Sequence, residues 1–233
     1  MFKSTRIHNT IRERMILLTI LKLPDPKKVI YILVIFYAVG IFGLTFPPTK
    51  NYIEILTPYT LLMNIALLML YHQPWSAKHI MLFILIPAAG FLVEVAGVYT
   101  GLVFGNYKYE HVLGIALFNT PLIIGINWLM LTYFAYHLTG LTKLPRWLQV
   151  ISGSLLLVGY DLILEPVAIR MYMWSWSGGY IPFQNYAAWF LISIIFLSLF
   201  HTCKIKARNK IATGLFAIQS GFILSLNIIY RFI

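Results

Sequence analysis

Seven stretches of about 20 apolar residues, each bounded by polar or turn-forming residues, leave this chain few folds to choose from. They lie at 29–46, 55–71, 79–101, 118–140, 147–168, 186–203 and 211–230. The breaks between them read PPTKN, HQPWSAK, GNYKYEH, TKLPR, WSWSGGYIPFQN and KIKARNK. A helix rises ~1.5 Å per residue, so about 20 residues cross a ~30 Å hydrocarbon core with every backbone group bonded inside the helix. The expected fold is therefore all-α, a polytopic integral membrane bundle of seven transmembrane helices. Composition agrees: 60% of residues are hydrophobic and 11% charged, where a soluble domain carries ~25% charged.

Residues 1–28 make a basic segment. Within it 10–23 is expected to form a short amphipathic surface helix, which Pro24 and Pro26 end. No repeat or linker divides 29–233, so it reads as one domain. The basic start is not followed at once by a short apolar run and a small-residue cleavage site, so no signal peptide is expected. A single cysteine, Cys203, excludes a disulfide framework and any cysteine-based metal site. His111 and His137 are too far apart to form a metal motif. Neither metal nor cofactor is expected. The net charge of +11 is set against anionic lipid rather than nucleic acid, because the bases lie between apolar spans.

Their distribution orients the chain. With the N-terminus inside, only Lys50, Lys108, Arg170 and Arg231 fall outside, and the other fourteen of the 18 Lys and Arg fall inside. That asymmetry places the chain in the cell membrane, N-terminus inside and C-terminus outside.

Four of the seven acids, Glu13, Asp25, Glu54 and Glu110, lie outside the spans or at their ends. Glu94, Asp161 and Glu165 do not, and an acid inside a span costs ~2.5–3.5 kcal/mol on insertion scales. Glu94 lies about two turns below the outer surface. Asp161 and Glu165 share one helix face at i, i+4, within the last two turns of their span. Asn127 lies two to three turns in, and Asn185 with Tyr186 opens the sixth span from the same side. No lysine or arginine inside a span neutralises these acids. At least one carboxyl is expected to keep its proton and serve as a donor, with an ionised neighbour as base. The competing reading is that the acids only bond to backbone or amides between helices. Trp128, Trp174, Trp176 and Trp189 equally have two readings, an interfacial belt or the wall of a site. Gly97, Gly101 and Gly105 are expected to permit close helix packing and a sharp turn.

Two blocks carry a resemblance. The first is Glu94-x-x-Gly97-Val98-x-Thr100-Gly101-x-x-Phe104-Gly105-x-Tyr107-x-Tyr109, then Leu113-Gly114, Pro121 and Asn127-Trp128. The second is Asp161-Leu162-x-Leu164-Glu165-Pro166, then Trp174-x-Trp176, Gly179, Ile181-Pro182, Asn185-Tyr186 and Trp189. Together they resemble the membrane-bound carotenoid biosynthesis family, and within it the CruF-type carotenoid 1,2-hydratases, among them the bisanhydrobacterioruberin hydratases. The resemblance covers roughly 30–230 and leaves out the basic N-terminus. It implies a cofactor-independent hydro-lyase that adds water to the terminal C1=C2 bond of an acyclic carotenoid end group. An acid protonates C2, and water captures the tertiary cation at C1. On this reading Glu94, Asp161 and Glu165 are catalytic. Asn127, Asn185, Tyr107, Tyr109, Trp128, Trp174, Trp176 and Tyr186 bind substrate or water. Depth alone points to Glu94 as the donor, with the Asp161/Glu165 pair activating water. The expected partners are a carotenoid drawn from the bilayer, lipid, and other enzymes of the carotenoid pathway.

A carotenoid cyclase would make the same cation and capture it with an internal double bond. The paired Glu-Glu associated with the membrane lycopene cyclases is absent. A transporter or proton pathway also suits buried acids, but there is no inverted repeat and no span lysine for a Schiff base. A scaffold role is the remaining alternative.

Overall fold

The computed structural model describes residues 23–206 and 208–232. The chain runs through α1 (Pro26–Thr45), α2 (Pro47–Glu54), α3 (Thr57–Tyr71), α4 (Ala77–Thr100), α5 (Leu122–Gly140), α6 (Arg146–Arg170), α7 (Phe183–Thr202) and α8 (Ala212–Ile229). Among the described residues six helices are long and apolar enough to cross a membrane, and α2 with α3, bent at the break between them, passes the same test as a pair. The all-α membrane bundle is therefore the fold. The surface helix expected at 10–23 lies outside the described residues, save Leu23.

Two boundaries differ by more than three residues from the sequence expectation. The second span is not one straight helix beginning at residue 55. It is broken, with α2 and α3 meeting at 54°. Pro47 and Pro48 open α2 at positions where no N–H is needed. Pro58, in the first turn of α3, has no N–H to give to the carbonyl of Glu54, so the helical ladder is interrupted at the break. The fourth span begins at Leu122 rather than 118. Residues 116–121 instead make a tight turn that pairs Ala116 with Pro121 and Leu117 with Thr120. Phe118 and Asn119 take positive φ at its tip, the conformation that two-residue hairpin turns demand.

Local chemistry sets the other ends. Asp25 caps α1 by accepting the Lys27 N–H at 2.7 Å. Gly101 closes α4 in the left-handed region, its N–H returning to the Gly97 carbonyl. The helix α5 lies at the centre, 67% buried against 22% for α1. It packs on α3, α4, α6, α7 and α8.

The connections gather at two ends. At one, Tyr107–Tyr109 pairs antiparallel with Trp174–Trp176. There Lys50 binds Glu54 at 3.6 Å and donates to the Arg170 carbonyl at 3.5 Å, fastening α2 to the end of α6. At the other, His72–Gln73 pairs with Arg208–Asn209. The connections meet their own kind alternately, as an up-and-down bundle requires.

Candidate functional site

Three carboxyls, all buried, face one cavity of about 290 Å³: Glu94 at 4% exposure, Asp161 at 1% and Glu165 at 2%. They come from the same end of α4 and α6. Their surroundings are aromatic hydroxyls, indoles and amides, with no cation among the lining residues.

Glu94 accepts three hydrogen bonds. Its Oε2 takes the hydroxyls of Tyr107 at 2.6 Å and Tyr109 at 2.7 Å. Its Oε1 takes the Trp128 indole N–H at 2.8 Å. The helix surface is cut away to allow this. A Cβ on Gly97 would meet the Phe104 ring at 2.6 Å and the Tyr107 hydroxyl at 3.2 Å, and one on Gly90 would meet Trp128 Cβ at 2.8 Å. Trp128 is in turn fixed by stacking on Trp189, with centroids 4.2 Å apart, and by an edge contact with Phe196 at 5.7 Å. Burial, reinforced by the charge of Glu94, pushes the phenols of Tyr107 and Tyr109 well above their ordinary range. Both therefore remain hydrogen-bond donors.

The donors to Glu165 stand on the opposite strand of the same ribbon. Trp174 and Trp176 each give an indole N–H to its Oε2 at 2.9 Å. Strand alternation puts Tyr107 opposite Trp176 and Tyr109 opposite Trp174, all on one face. This two-stranded ribbon thus carries four of the donors and roofs the cavity. Its outer face is pinned where Glu110 accepts Ser175 Oγ at 2.9 Å and pairs with Lys108 at 3.1 Å. Those two contacts, Lys108 first, hold the Glu110 carboxyl below its usual range.

Asp161 is served differently. Its Oδ2 accepts the Asn185 amide at 2.7 Å, and the same amide reaches Glu165 Oε1 at 3.4 Å. Asp161 has no other donor among the described residues. Asn127 also lines the cavity, and its side-chain amide has no protein partner among them.

Of the residues singled out in the sequence, Glu94, Asp161, Glu165, Asn127, Asn185, Tyr107, Tyr109, Trp128, Trp174 and Trp176 all line this cavity. Tyr186 does not; it lies half-buried one residue past Asn185 on α7. Tyr37, Tyr160 and Gln219 line it as well, although the sequence reading passed over them. Gln219 carried a signal, since it is a polar residue in an apolar span, as Asn127 is. Tyr37 and Tyr160 carried none, because tyrosine is common in such runs.

The arrangement has chemical consequences. An indole N–H can only donate, so the oxygens of Glu94 and Glu165 that face tryptophan must present lone pairs. A proton on Glu94 Oε2 would have to displace a phenol. Asp161, with one donor across two oxygens, can carry a proton without breaking any of these bonds.

The sequence matches the family described as carotenoid biosynthesis protein over residues 56–230. No curated protein and no solved structure matches it.

Proposed function

This chain belongs to the carotenoid biosynthesis protein family, and from that premise we propose that it is a carotenoid 1,2-hydratase, working without a cofactor. Asp161 gives its proton to C2 of the terminal double bond, leaving a tertiary cation at C1. A water held by the free amide of Asn127 attacks C1 and passes its proton to Glu165 Oε1, whose one contact is the long 3.4 Å approach of Asn185. Asp161 and Glu165 lie on one helix face, so the proton returns from Glu165 to Asp161 and the cycle closes. Glu94 stays ionised beneath its three donors and offsets the charge of the cation. The faces of Trp128, Trp174 and Trp176 add to this, at ~2 kcal/mol or more for a desolvated cation.

The observation that carries the proposal is the unequal sharing of donors. Two carboxyls are supplied as carboxylates and the third is left able to hold a proton, within one aromatic cavity. This reverses the division expected from depth, which gave the proton to Glu94. The charge asymmetry of the loops supports an orientation with the N-terminus and the His72 end in the cytoplasm. Reporter fusions after Lys143 and Lys210 should both read as cytoplasmic.

The function is tested by pigment analysis of cells that express the chain beside a pathway making an acyclic carotenoid. A product heavier by one water is the expected outcome. An isomer of equal mass would make the protein a cyclase, and unchanged pigment would remove it from catalysis on that carotenoid.

A further inference from the structure

The cavity does not end at the acids. Its far wall is built from Phe36, Val39 and Gly40 of α1 and from Leu56, Thr60 and Leu61 at and after the break between α2 and α3. Phe36, Val39 and Leu56 are 43%, 61% and 48% exposed, on the apolar outer surface of a membrane bundle. The cavity is thus continuous with the surface that faces lipid.

The packing explains the opening. Helix α1 lies chiefly along α8 and α2, whereas α3 lies chiefly along α5. Between α1 and α3 a hydrogen bond from Asn64 Nδ2 to the Tyr37 hydroxyl, at 2.5 Å, closes the cleft deeper in the bundle. Beyond that bond Leu56, Thr60 and Leu61, at and after the break, face the cavity opposite Val39 and Gly40 of α1.

Size decides what the opening is for. A cavity of about 290 Å³ sits at the lower edge of the ~300–1,000 Å³ that encloses drug-sized ligands. A forty-carbon polyene, about as long as the ~30 Å hydrocarbon core is thick, cannot enter whole. We propose that the cleft between α1 and the broken α2–α3 span is a lateral portal and binding groove for the chain of a linear isoprenoid. One end group reaches the acids while the rest of the polyene runs out between α1 and α3 into lipid. The proposal rests on the isoprenoid reading of the site. It adds that the substrate enters from the bilayer, end first, and that one end group is handled per visit.

The test compares two substrates with the same terminal group: an acyclic forty-carbon carotenoid and a ten-carbon analogue small enough to lie inside the cavity. Val39→Trp and Leu56→Trp narrow the groove from its two sides at its exposed mouth, outside the space that the short substrate fills. Each variant should convert the long substrate at least roughly tenfold more slowly and the short one at close to the wild-type rate. The short substrate thereby reports that the variant is folded with its acids in place. Wild-type protein purified from cells that make the forty-carbon carotenoid should retain that pigment, and both variants should lose it. Equal losses on both substrates, or a loss on neither, would overturn the portal. If the wild-type protein converts neither substrate, the hydratase reading fails. Pigment retention then decides separately: bound to wild type and lost from the variants upholds the groove, whereas pigment absent from wild type or retained by both variants overturns it.

Discussion

The bundle is closed at each end by a two-stranded ribbon over buried polar groups, and the two ends differ in the space left around those groups. At the Trp174 end the ribbon supplies donors to Glu94 and Glu165 around a cavity, and Asp161 and Asn127 keep bonding capacity. At the His72 end the ribbon seals. His72 Nδ1 meets the Tyr133 hydroxyl at 2.8 Å. Asn209 donates to the Leu68 carbonyl at 2.8 Å and to Tyr133 at 3.3 Å. The His72 ring lies 4.9 Å from Trp75 and 5.5 Å from Phe83 between centroids. On the proposed reading the same device serves catalysis where it borders a cavity and stability where it is packed. Buried polar residues in a membrane chain separate into site and plug by the room around them rather than by their identity.

That contrast is most exposed at Asp161. Replacing Asp161 by Asn should abolish conversion, a loss on the order of 10²–10⁴-fold for a missing general acid, and leave the pigment unaltered. Glu94→Gln should slow hydration without changing the mass of the product. Pigment chromatography on the two variants distinguishes them. The opposite pattern would return the proton to Glu94, as depth alone had placed it.

The plug should answer in stability instead. Tyr133→Phe leaves His72 without its partner and removes one acceptor from Asn209, at a cost of ~1–3 kcal/mol. A thermal unfolding scan in detergent should show the drop while turnover per folded molecule is kept. A loss of turnover with unchanged stability would erase the distinction between the ends.

Acid should weaken the same end. Burial, aided by the neighbouring His79, lowers the pKa of His72 from 6.5 to about 4. The folded value lies below the unfolded one, so its contribution is complete above about pH 6.5 and is lost as pH falls toward 4. By pH 5 the loss is about 2 kcal/mol. His72→Leu, though less stable at pH 7, should show a flatter decline between pH 7 and 5. A decline as steep as in wild type would place the acid-sensitive group elsewhere.

The smallest effect belongs to the outer face of the roof. Lys108 is 72% exposed where it pairs with Glu110, and such surface pairs contribute ~0–1 kcal/mol. Lys108→Ala should leave both conversion and unfolding temperature nearly unchanged. A marked fall in conversion would mean that the ribbon must be pinned from outside to hold its donors.

Much of the site was legible because its signals are costly. An acid or amide inside an apolar run has few reasons to be there, which marked Glu94, Asp161, Glu165 and Asn127. Their common depth followed from the span boundaries. The ribbon was not legible, because three-residue strands at 107–109 and 174–176 leave no periodic pattern, and only the fold brings Tyr107 opposite Trp176. The break at residues 55–56 was hidden for another reason. Pro58 signals a helix start as readily as a bend, and the run PPTKN reads as a loop although it forms α2. Polar periodicity reaches neither Tyr37 nor the lipid-facing residues of α1, so the opening of the cavity toward α1 could come only from the packing.

The central claim is protonation by a buried carboxyl followed by capture of the cation by water, and isotopes test it most directly. Membranes containing the protein are incubated with the acyclic carotenoid in H2(18)O, and in parallel in D2O. The expected product carries one oxygen-18 on C1 and, in deuterated water, one deuterium bound at C2. A product without oxygen-18, or one labelled at C2 but equal in mass to the substrate with one hydrogen replaced by deuterium, would contradict water capture at this site.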